Sequence, residues 1–182
     1  MLTQGRQPKP EFSRLMPVER LGEAEAREEI AATPEERAAV ARRFDLRALD
    51  ELRAVVRVRR EGKDLIRVRG RFTADLVQTC VVSLEPVRNR LEESFTQLYT
   101  LAPAAAAVRE AVVEPDEEEP PEAVGPSGID LGEAVAQQLA VALDPYPRAP
   151  GAKLSQAALG ERGEAGDDGG PFAALKALKG RG

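Results

Sequence analysis

Histidine is absent from all 182 residues, tryptophan is absent too, and cysteine occurs once. Without histidine there can be no Ser-His-Asp triad, no Cys-His pair and no imidazole metal ligand. The single Cys80 forbids an intramolecular disulfide. Aromatic residues make up only 4% of the chain, so Val, Leu and Ala must build whatever core exists. No stretch approaches the roughly 18 apolar residues that a membrane helix needs. The opening MLTQGRQPKPEF has charges and prolines but no apolar stretch of the kind a signal peptide carries. Together these absences point to a soluble, cytoplasmic protein of one domain with tails, away from membranes.

What is present is patterned. The segment EFSRLMPVERL (11–21), broken by Pro17, reads as a short N-terminal edge strand. TPEERAAVARRF follows as a helix over 34–44: Thr33 fits the N-cap, Pro34 the first helical position and Glu36 the capping box. Its Val40, Ala41 and Phe44 share one face. From 51 to 101 the apolar period becomes two. ELRAVVRVRR, the turn EGKD and LIRVRGRFTADLVQTCVV read as a β-hairpin. Ile66, Val68, Phe72, Ala74, Leu76 and Cys80 fall on one side, with Gly70 as a bulge or bend. SLEP turns the chain into a third strand carrying Val87, Leu91, Phe95 and Tyr99. A second helix is expected over 131–143, with Asp130 as N-cap, Glu133 at the capping-box position and a Leu131-Val135-Leu139-Leu143 stripe. The fold class expected is therefore α+β: an antiparallel meander over about 51–101, covered on one face by the two helices.

Around this domain (11–150) lie segments of another composition. Residues 1–10 are expected to be disordered, and 103–128 to form a mobile acidic insertion with Glu114, Asp116, Glu117, Glu118, Glu119 and Glu122 close together. Residues 151–182 read as a Gly-rich tail ending in a short helix, 171–179, with Phe172, Leu175 and Leu178 on one side.

Four features carry possible chemistry. Cys80 shares a strand face with apolar residues and has no base to activate it, so packing is favoured over nucleophilic catalysis. GERGEAGDDGG (160–170) lacks the preceding strand and the Lys-Ser/Thr of a phosphate loop, and its carboxylates would repel phosphate. Carboxylates such as Asp75 or Asp130 have no acid–base partner by spacing, so no enzyme and no cofactor are expected. The fourth feature is basic. Arg53, Arg57 and Arg59 alternate on the first hairpin strand and Arg67, Arg69 and Arg71 on the second. Between 51 and 71 there are eight Lys/Arg against three Asp/Glu, in a chain of net charge −5. Antiparallel pairing would gather these guanidiniums on one face suited to phosphate. On charge alone, a solvated face partly neutralised by the acidic 114–122 loop is an equal reading.

The order of motifs resembles a known family. VRGRFTADLVQTCVVSLEPV (68–87), then IDLGEAVAQQLAVALDPYPRAPGA (129–152), then PFAALKALK are together similar to the YceD-like, large ribosomal RNA subunit accumulation proteins of bacteria. The matching positions are Cys80, Leu84, Pro86, Asp130, Leu131, Gly132, Glu133, Pro145, Pro147 and Arg148. The resemblance implies a non-enzymatic role in the accumulation or processing of 23S ribosomal RNA. Many relatives carry a second cysteine three positions after the first and further pairs later, which implies zinc in them. Here Ser83 stands in the second place and the later cysteines are missing, so no metal is expected. Two partner readings follow. In one, large-subunit RNA is contacted by Arg53, Arg57, Arg59, Arg67, Arg69 and Arg71; in the other, a ribosomal or RNA-processing protein is recruited by the acidic loop or C-terminal helix. DNA is not expected.

Overall fold

A computed structural model describes residues 10–22, 24–102 and 120–153. Its centre is a long meander formed by β3 (Ala48–Glu61), β4 (Leu65–Thr79) and β5 (Pro86–Thr100), all antiparallel, as the period-two pattern predicts. From Leu52 onward in β3, and along β4, even-numbered residues point inward; before the shift at Leu49/Glu51 it is Leu49 that is buried and Asp50 that is exposed. Leu52, Val56, Val58, Ile66, Val68, Phe72, Ala74 and Leu76 are all at most 2% exposed. Odd-numbered positions of β5 continue that face with Leu91, Phe95 and Tyr99.

The edges differ from expectation. The strand beside β3 is β2 (Ala26–Ala31), which was not read from the sequence. The 11–21 segment does not edge the meander. Only Leu15–Met16 (β1) is extended, and it pairs with Ile129–Asp130 (β7) in a separate two-stranded ribbon. Pro17 ends β1, and the next three residues turn into a short 3₁₀ helix. At the far edge, Glu122–Ala123 (β6) joins β5 in parallel at Tyr99 and Thr100. The expected insertion is thus shorter than 103–128, because its last residues are part of the sheet and of the turn to β7. Residues 1–9, 103–119 and 154–182 lie outside the described residues, and with them most of the acidic insertion, the Gly-rich tail and the 171–179 helix.

Gly70 is neither a bulge nor a bend. It lies in unbroken register between Val56 and Phe95, and the one shift in β3 is at Leu49/Glu51. Glycine is required there because the Phe95 ring occupies the space of a Cβ. Gly128 is a second such position: its φ is +105, and a Cβ would meet the Met16 carbonyl.

Helix α1 (Pro34–Arg43) begins with the complete capping box. The Glu36 N–H donates to Thr33 Oγ1, and the Thr33 N–H donates to Glu36 Oε2. Helix α2 (Leu131–Ala142) is capped by Asp130, whose Oδ1 accepts from Gly132 and Glu133 N–H groups. Glu133 does not complete a second box. Its carboxylate instead takes both Arg43 guanidinium nitrogens at 2.9 Å, tying α2 to α1. Both helices pack on the inward face, where Val40, Leu131, Val135 and Leu139 join a single core with Phe12. Asp130 also accepts from Ser13 Oγ (2.6 Å) and the Arg14 N–H (2.7 Å), while Arg14 forms a two-point pair with Glu36. No helix among the described residues is long and apolar enough to cross a membrane.

Candidate functional site

The outward face of the sheet carries the arginines. All six expected from the sequence, Arg53, Arg57, Arg59, Arg67, Arg69 and Arg71, lie at odd positions of β3 and β4. The register sets Arg57 opposite Arg69 and Arg59 opposite Arg67. The unforeseen β2 extends the first row, because Arg27 lies opposite Arg57. Arg27, Arg57 and Arg69 therefore stand side by side across three strands, about 4.8 Å apart at the backbone. Sequence reasoning missed Arg27 because GEAEAREEIAA is rich in helix formers. Glu28 also breaks the alternation that Ala26 and Ile30 would otherwise show.

Like charges opposite one another are unfavourable, and carboxylates sharing the face relieve them. Arg67 Nε lies 2.6 Å from Glu61, Arg53 3.3 Å from Glu51 and Arg71 3.4 Å from Glu92. Arg57 is 3.9 Å from Glu25, and Arg27 is 2.6 Å from Glu29. Glu61 is held below the usual carboxylate range, chiefly by its hydrogen bond from Arg67, with Arg69 and Arg59 adding attraction. Among the described residues, Arg59 and Arg69 have no carboxylate within ion-pair distance. With Arg57, Arg67, Glu25 and Glu61 they line a small depression of about 20 Å³. Beside it, Arg53, Val55, Arg71 and Thr73 help to line a wider shallow groove of about 320 Å³. Asp75 also lies on this face and pairs with Arg90 at 3.1 Å.

Cys80 lies one residue past the end of β4 and is fully buried. It is more than a small apolar filler. Its Sγ accepts from the N–H groups of Val82 (3.4 Å), Ser83 (3.3 Å) and Ala149 (3.3 Å). The thiol is lowered to about 6, first by the Ser83 hydroxyl and then by the Ala149 and Ser83 N–H groups, against burial. A second link runs from the Val81 N–H to the Pro147 carbonyl at 2.9 Å. The Cys80 turn and the chain after α2 are thus fastened together by hydrogen bonds. Ser83 and Ala149 offer no thiolates, so the residues present do not fit a structural metal. Among the described residues no three Cys, Asp or Glu side chains form a ligand cluster.

The remaining motif positions have structural roles in this region. Leu84 sits in the left-handed region at φ +61, exposed, with its carbonyl accepting from Arg47 at 2.6 Å. Pro86 opens β5. Gly132 lets the Phe12 backbone pass, since a Cβ would lie 2.6 Å from its carbonyl oxygen. Pro145 and Arg148 are exposed, while Pro147 is buried.

Searches of curated proteins and of solved structures return no match. The family described as large ribosomal RNA subunit accumulation protein YceD matches residues 68–179, which run from β4 through the Cys80 turn and α2 into the C-terminal segment. With that match spanning more than half of the chain, the protein belongs to the YceD family.

Proposed function

We propose that this chain is a non-enzymatic, cytoplasmic ribosome-biogenesis factor that supports accumulation of 23S ribosomal RNA by contacting large-subunit RNA through its outward arginine face. The observation that carries the reading is the cross-strand arginine cluster, Arg27-Arg57-Arg69 and Arg59-Arg67, within which Arg59 and Arg69 have no described carboxylate at ion-pair distance. Guanidiniums stacked at strand spacing have a mutual repulsion that phosphate oxygens relieve. Base reading is not part of the proposal, because the cluster has no exposed aromatic among it and the contact is to backbone phosphate.

The test is a salt titration of binding to large-subunit RNA fragments. Each phosphate contact contributes about 0.7 to 0.9 to the slope of log affinity against log salt. Replacing Arg59 and Arg69 with Gln should lower the slope by roughly 1.4 to 1.8 on that scale. Unchanged affinity and slope would remove the face from the function. A second reading rests on the net charge of −5, since acidic segments oppose the approach of RNA. In it the chain is an adaptor that reaches a ribosomal or RNA-processing protein through its acidic stretch or its C-terminal segment. Recovery of such a protein that survives nuclease and is lost on deleting 114–128 or 170–182 would favour it.

A further inference from the structure

Before Tyr99, the outer edge of β5 is long and unoccupied by any described strand. Residues of β5 alternate in the direction of their backbone groups. The Leu101 N–H bonds to the Asp64 carbonyl and the Val124 N–H to the Thr100 carbonyl, which fixes the phase. Odd positions bond to β4, so the N–H and C=O groups of Arg88, Arg90, Glu92, Ser94 and Thr96 point away from the sheet. Among the described residues, β6 covers this edge only at Tyr99 and Thr100. Open edges are commonly blunted by a proline, a bulge or charged side chains, and of these β5 has the charges, Arg88, Arg90, Glu92 and Glu93. Here the register with β4 is unbroken, and the one proline, Pro86, is the strand's first residue.

The sequence along that edge is complementary to itself in reverse. It runs from basic (Arg88, Arg90) through Leu91 to acidic (Glu92, Glu93). We propose that two copies of the chain associate by antiparallel pairing of β5 with β5 about a two-fold axis at Leu91. This register places Arg90 opposite Glu92 of the second copy, twice over. On the inward face it brings together the two Leu91 side chains and sets Val87 opposite Phe95. Leu91 and Val87 are only partly buried in one copy, so pairing extends an apolar face that is already there. The even positions that meet are the ones whose backbone groups point outward, so the hydrogen-bonding phase is correct. The paired stretch, 86 to 96, is about 37 Å long by strand geometry. It ends before β6 joins at Tyr99. Residues opposed across such a pair share a face, so the arginine clusters of both copies lie on one side of a continuous sheet.

Arg90 already meets Asp75 and Glu92 within one copy, and Arg71 meets Glu92. These pairs are exposed and are exchanged on association rather than lost. The proposal does not depend on RNA binding and is tested without RNA.

The experiment is sedimentation velocity of the full chain over a wide concentration range. The expected result is a concentration-dependent monomer–dimer equilibrium. Arg90→Glu and Glu92→Arg each place like charges opposite one another at both symmetric positions and should weaken the dimer about tenfold or more. Mixing the two variants restores complementary pairs and should restore association, as should the double swap in one chain. Ser94→Pro removes an N–H that points away from the sheet, so it should abolish the dimer with the circular dichroism spectrum unchanged. A chain that remains monomeric throughout, a dimer indifferent to these substitutions, or charge variants that fail to rescue each other on mixing would each overturn the proposal. If Ser94→Pro fails to fold, the mixing experiment decides alone.

Discussion

Replacing Gly70 with Ala should destabilise the protein, and removing the Phe95 ring should reverse the sign of that effect. Phe95 is 9% exposed and lies over Gly70, which has strand neighbours on both sides in register. An added Cβ meets the ring edge, so the ring must leave its position or the strands must part. Overpacking of this kind costs typically about 1–3 kcal/mol. Alanine offsets about 0.4–1 kcal/mol by restricting the unfolded chain. The net expectation is a loss of about 1–2 kcal/mol for Gly70→Ala. Phe95→Ala alone should cost about 3 kcal/mol or more. In that background the space above residue 70 is empty, only the gain remains, and Gly70→Ala becomes stabilising by up to about 1 kcal/mol. Urea unfolding of the four proteins in a double-mutant cycle measures this. A Gly70→Ala effect of the same sign and size in both backgrounds would refute the packing argument.

Other consequences are equally direct. The Cys80 thiol is lowered in the fold to about 6 from an ordinary value near 9, so its stabilisation is complete above the unfolded value and is lost as pH falls from about 9 through 6. With no histidine in the chain, few other groups titrate there. Thermal unfolding should therefore rise in midpoint between pH 6 and 9, and Cys80→Ala should flatten that dependence. Glu36 is lowered by its Arg14 hydrogen bond, so its contribution is present above about pH 4.5 and fades as pH falls below it; Glu36→Gln should reduce the acid sensitivity of unfolding. Asp130→Ala removes an N-cap together with its acceptance from Ser13 and Arg14, and should cost about 2–3 kcal/mol in chemical denaturation. Leu84→Gly relieves a left-handed backbone at an exposed side chain and should stabilise by roughly 0.5–1 kcal/mol.

Where one face is apolar and the other charged, the sequence displays its structure openly. The alternation in 51–79 fixed both hairpin strands and the outward arginines, and the cap residues marked both helix starts. Features decided by contacts far apart in sequence were not visible. Pro17 and alternating residues made 11–21 look like an edge strand, yet its partner is β7, which no local pattern could name. The true edge, β2, has a helix-forming composition and becomes a strand only because β3 offers it a ladder. Cys80 is apolar in pattern, and the N–H groups that bond it come partly from Ala149, 69 residues away. Glu133 has the spacing of a cap box, but Arg43 of the other helix competes for its carboxylate and wins with two charge-assisted bonds. In each case the local signal was sound and a distant partner decided the outcome.

The pairing of β1 with β7 has a consequence for how the molecule is made. Ser13 and Arg14 find their partner 117 and 116 residues later in the chain. A ribosome adds about 5–20 residues per second, so the first of these groups waits about 6–23 s for Asp130 to be synthesised at such rates. During that interval β2 through β5 can assemble from near neighbours. Phe12, which ends fully buried, has no Gly132 to lie against until α2 arrives. Leu15–Met16 is thus made before the strands of the meander but can pair only after them.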